Sequence, residues 1–127
     1  MKQAQLFCLS LFLLQTQLAA AGSVAIVWDP QANFQYEGSL KPTEILELCG
    51  KLSAATTIDW SFNASQALVS SVYFRQGDTP KNLAQFPSRE RLSYHINLSA
   101  AQEYCWKWIN TNPKPAQIKV NLTRVSK

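Results

Sequence analysis

The chain lacks what most enzymes, metal proteins and membrane proteins need. It has one histidine, His95, and four glycines, none of them set in a phosphate-cradling loop. No Cys-x-x-Cys pair or other metal-ligand spacing occurs, so neither a metal nor a cofactor is expected. The eight acidic residues form no evident acid–base constellation, and His95 falls on an outward position without a partner at a recognisable spacing. The chain therefore reads as a non-enzyme. Its basic residues form no run longer than Arg89-Glu90-Arg91, so the net charge of +4 describes a solvated, mildly basic surface rather than a nucleic-acid site. The longest largely apolar stretch is Leu6 to Leu14, with only Ser10 inside it. That is too short for a membrane span, and no hydrophobic tail follows.

That short apolar run has a purpose of its own. Met1-Lys2 gives a positive start, Gln15-Thr16-Gln17 breaks the apolar stretch, and Ala19-Ala20-Ala21 offers a small-residue cleavage site. This is the layout of a signal peptide over residues 1–21, leaving residues 22–127 as one secreted, extracellular domain. Cys8 departs with the signal. Cys49 and Cys105 remain, and an oxidising compartment should join them. Closing so long a loop contributes roughly 4 kcal/mol on the chain-entropy account. The chain stops at Lys127, soon after its last strand pattern, as a truncated form of a larger receptor would also do.

Period-two alternation dominates the rest, and helical periodicity is nearly absent. Val24 to Trp28, the short piece with Phe34 and Tyr36 that ends at a Glu37-Gly38-Ser39 turn, Glu44 to Leu52 and Thr56 to Phe62 read as strands, with Ile58, Trp60 and Phe62 on one face. Leu68 to Arg75, a short Leu83 to Phe86 piece, Leu92 to Leu98, Tyr104 to Trp108 and Ile118 to Leu122 follow. Seven or eight short strands separated by turn signals predict an all-β, antiparallel two-sheet sandwich.

Phe34-Gln35-Tyr36-Glu37-Gly38, Leu46-Glu47-Leu48-Cys49, Ile58-Asp59-Trp60 and Glu103-Tyr104-Cys105 together resemble the immunoglobulin superfamily. That resemblance implies an inter-sheet disulfide beside a core tryptophan, and a role in recognition, adhesion or immunity. Leu98-x-Ala100-x-Gln102-x-Tyr104 is also similar to the tyrosine corner of fibronectin type III domains, the alternative form of the same architecture. That form implies a soluble decoy or receptor fragment.

Strand parity conflicts with a regular inter-sheet pin. Tyr104 and Cys105 are adjacent, and Cys49 shares its parity with Glu47 and Lys51 rather than with Leu46 and Leu48. Were both cysteines inward, Glu47, Lys51, Glu103 and Lys107 would follow them, at a desolvation cost one disulfide cannot offset. A bulge beside each cysteine, or a bridge at the rim of the core, would reconcile the two.

Three N-glycosylation sequons begin at Asn63, Asn97 and Asn121, each on a position expected to face water, with Asn63 opening a turn. Arg75, Arg89 and Arg91, at strand ends and loops, are candidate partner-binding residues. Trp106 and Trp108 are core if Cys105 points outward, and an exposed aromatic contact strip if it points inward. The expected partner is a protein ligand or cell-surface receptor. Self-association as a homodimer is the alternative use of such a surface.

Overall fold

The computed structural model describes residues 22–126, so the signal-peptide reading and Cys8 lie outside the described residues. Seven strands form: β1 (Gly22–Ala25), β2 (Asn33–Leu40), β3 (Ile45–Leu52), β4 (Thr56–Gln76), β5 (Thr79–Leu98), β6 (Gln102–Ile109) and β7 (Ala116–Ser126). The all-β expectation holds. The two separate sheets do not appear: hydrogen bonding runs continuously in the order β1-β3-β6-β4-β7-β2, with β5 along the other edge of β4. The result is one curled, half-barrel sheet. All pairings are antiparallel except β1 with β3.

β4 makes the curl. Its residues 56–64 lie against β7, whereas residues 69–74 lie against β6, on the same edge. Between them the register with β5 shifts at Asn63/Leu68 and Leu68/Ser70. Irregularities of this kind bend a strand and increase its twist. The expected turn at Asn63 is therefore a bend inside a 21-residue strand. The Leu83 to Phe86 and Leu92 to Leu98 pieces likewise merge into a single β5 that passes through Pro87. Proline is tolerated there because β5 is an edge strand.

The core fills the inside of the curl. Leu46, Leu48, Trp106 and Trp108 from the β3–β6 side face Ile58, Trp60, Phe62, Val120 and Leu122 from the β4–β7 side. Trp108 touches Trp60 and Phe62 with ring centroids 6.0 and 5.8 Å apart, both in edge-to-face arrangement. Such contacts add about 0.5–1.5 kcal/mol each beyond area burial. Trp106 and Trp108 are fully buried, which removes them as partner-binding residues. Their parity follows directly from Cys105 pointing the other way.

The disulfide joins Cys49 to Cys105, but not between sheets. The two residues stand directly opposite on neighbouring strands, with Cα atoms 4.1 Å apart. The ladder from Ile45/Ile109 to Leu52/Gln102 runs without a register shift, so no bulge is involved. The bridge lies on the outer face, where Glu47 pairs with Lys107 and Lys51 with Glu103 across the strands. That arrangement leaves all four charges outside and the leucines and tryptophans inside.

One buried polar residue ties the loops together. Asn110 is fully buried, and its Nδ2 donates to the carbonyls of Leu40 (3.0 Å) and Lys114 (2.9 Å). Its Oδ1 accepts from the Asn112 backbone N–H at 2.9 Å. Tyr104 donates its hydroxyl proton to the Ala100 carbonyl at 2.5 Å, a tyrosine-corner hydrogen bond.

Candidate interaction surface

Two outer faces are available, and they differ in chemistry. On the first, β4 places Thr57, Asp59, Ser61 and Asn63 beside Asn97, His95, Ser93 and Arg91 of β5. β7 adds Thr123, Asn121 and Lys119 on the other flank, and β2 adds Asn33, Gln35 and Glu37. Alternation explains the composition: intervening residues such as Ile58, Trp60, Leu122 and Ile96 point the other way and are buried.

Neighbouring strands link these polar residues. His95 Nδ1 donates to Asp59 Oδ1 at 2.5 Å, although both side chains are more than half exposed. Thr57 Oγ1 donates to Asn97 Oδ1 at 2.7 Å, and Thr123 Oγ1 to Asn33 Oδ1 at 2.6 Å. Lys119 pairs with Glu37 at 3.3 Å. A depression of about 580 Å3 spans this face, lined by Asp59, Ser61, Ser93, His95, Asn121 and Thr123. A second groove, of about 440 Å3, adjoins it through Ser61 and Ser93 and runs to Arg89 and Arg91.

The outward parity expected of His95 is therefore correct, but its partner was not legible in the chain. Asp59 lies 36 residues away and meets it only through the β4–β5 register. The three sequon asparagines, Asn63, Asn97 and Asn121, are exposed and stand together on this same face.

The second face belongs to β3, β6 and the end of β4. Tyr73 stands opposite Cys105, is almost fully buried, and donates its hydroxyl proton to Glu47 Oε2 at 2.5 Å. Arg75 Nη2 donates to the same phenol oxygen at 3.2 Å, and both Arg75 and Lys107 approach the Tyr73 ring. Burial, reinforced by the Glu47 carboxylate, pushes the Tyr73 pKa up to about 12. Arg75 is thus part of a structural cluster beside the disulfide. It sits at the far end of β4 from Asn63, the residue opposite Arg91, so the three arginines do not form one site.

No family model matches the chain, and no curated protein sequence matches it. Solved structures do share its fold. The periplasmic g-type lysozyme inhibitor PliG of Aeromonas hydrophila superposes with a TM-score of 0.68 at 10% identity, over 83% of this chain and 97% of that one. PliG of Salmonella Typhimurium gives 0.58 at 15% identity, over 83% and 99%. The pre-peptidase C-terminal domain of a Bacillus anthracis collagenase gives 0.61 at 11%, over 81% and 94%. Among the described residues no helix is long and apolar enough to cross a membrane, and no group of His, Cys, Asp and Glu is placed to hold a metal.

Proposed function

We propose that this chain is a secreted protein-binding module without catalytic activity, acting outside the cytoplasm after removal of residues 1–21. The observation that carries the reading is the end-to-end likeness to PliG: the shared fold covers nearly all of a protein that works by binding and inhibiting another protein. The disulfide agrees with an oxidising extracellular or periplasmic setting. The polar face around Asp59 and His95, with its adjoining grooves, supplies a hydrogen-bonding surface suited to a wet, non-obligate interface. Glycans at Asn63, Asn97 and Asn121 would all emerge from that face, which makes their presence a determinant of which surface meets the partner.

Binding is tested by immobilising the oxidised protein and measuring association with a g-type lysozyme, a c-type lysozyme and a panel of surface and secreted proteins. Saturable binding to one of these, with loss of that protein's activity where it is an enzyme, is the expected outcome. Binding to none, combined with concentration-dependent dimerisation in sedimentation, would replace the reading with that of a self-associating structural protein.

A further inference from the structure

We infer that the open edge of β5 accepts an extended segment of a partner protein by strand addition, and that this segment alternates acidic and apolar residues. The inference rests on the protein-binding reading and names the chemistry of the partner. Among the described residues β5 pairs with β4 alone, although it is 20 residues long. The other two edge strands are much shorter, β1 with 4 residues and β2 with 8. A long unpaired edge presents a row of backbone N–H and C=O groups, which is the template that strand addition uses. Pro80 and Pro87 interrupt the donors in its first half, so the continuous stretch is Arg89 to Leu98.

Charge and burial along that stretch specify the incoming sequence. Arg89 and Arg91 flank the groove that also contains Ser61, Asn63 and Ser93, and neither forms a salt bridge among the described residues. Carboxylates at alternate positions of an added strand repeat at the spacing of these two arginines. On the other side of the strand, Tyr94 is 42% exposed, with its ring 4.8 Å from Phe86 and 6.2 Å from Trp60. This aromatic lip leaves an apolar surface beside the edge, where the alternate residues of the partner segment would rest. The added strand lies in the plane of the sheet. Asn63 is on β4, and Asn97, although on β5, leaves the outer face of the sheet with its side chain drawn to Thr57 on the β4 side, so glycans at these positions project from the face rather than along the edge. A second copy of the chain is a poorer occupant, because antiparallel pairing about Glu90 sets Arg89 against Arg91, and directly opposed like charges destabilise a pair.

The experiment titrates the oxidised protein with a short peptide of alternating Glu and Val, and with its Lys–Val counterpart, at low salt. Expected are binding of the Glu peptide only, slowed amide exchange confined to Arg89–Leu98, and about a tenfold loss of affinity in R89E/R91E or at high salt. Binding without amide protection in β5 would mean simple charge contact and would overturn strand addition. So would protection mapped to β1 or β2, no binding at all, or dimerisation through β5. If a protein partner is found whose affinity is unchanged by R89E/R91E, the edge inference fails while the protein-binding reading stands.

Discussion

Thr43 carries a backbone conformation that its side chain disfavours. Its φ is +69°, in the left-handed region, where a β-branched residue is an outlier. The turn holds it there: the Thr43 N–H donates to the Asn110 carbonyl at 2.8 Å, and Asn110 in turn donates its N–H to Glu44. Thr43→Gly keeps those backbone bonds and removes the steric conflict, so it should stabilise the protein by about 1 kcal/mol, read from the denaturant midpoint. Asn110→Ala should do the opposite. It strips the buried donors from the Leu40 and Lys114 carbonyls and should cost about 1–3 kcal/mol in the same assay. Tyr73 offers a spectroscopic check. A phenol whose folded pKa is raised holds its proton more tightly than the unfolded chain does. Its contribution to stability is therefore complete below pH 10 and is lost as pH rises toward about 12. Alkaline titration by phenolate absorption should show a late-ionising tyrosine that disappears in Tyr73→Phe. If that variant leaves the titration curve unchanged, Tyr73 is not held protonated by burial and its hydrogen bond to Glu47.

At the scale of single elements, the disulfide separates what was legible from what was not. Parity alone set Leu46, Leu48, Trp106 and Trp108 on one face and the cysteines on the other, because alternation is fixed by strand geometry. It left open which face is the core, and burial of the tryptophans decides it. Parity could not reveal that β3 and β6 are neighbours, since which strands pair is a property of topology. The expected inter-sheet pin therefore became a cross-strand bridge. The same limit hid the continuity of β4: Asn63-Ala64-Ser65-Gln66-Ala67 is small and polar, as a turn is, yet the bend is carried within the strand. A bridge inside an intact ladder acts mostly on the unfolded chain. Cys49→Ser with Cys105→Ser should retain the far-ultraviolet spectrum while losing roughly 4 kcal/mol of stability. Loss of the β signal under native conditions would show that the ladder depends on the bridge.

For the whole molecule, the decisive fact is that β4 belongs to both halves of the curl. Its first part pairs with β7 and its second with β6, and β5 follows it along its length. Neither half has a core of its own, since Trp108 from one packs on Trp60 and Phe62 from the other. Splitting them would expose three large aromatic faces at once, a cost far above the few kcal/mol available to sub-global opening. Unfolding should accordingly be a single transition, with tryptophan fluorescence and far-ultraviolet dichroism coinciding in denaturant. Leu68→Ala, at the buried bend, should shift both probes together by about 2–5 kcal/mol. Amide exchange should assign β3 and β7 the same global free energy, although they belong to the two different halves of β4, β7 pairing with residues 56–64 and β3 reached through β6 at residues 69–74. Two separated transitions, or a β7 that exchanges well before β3, would mean that the halves are autonomous and that β4 merely tethers them.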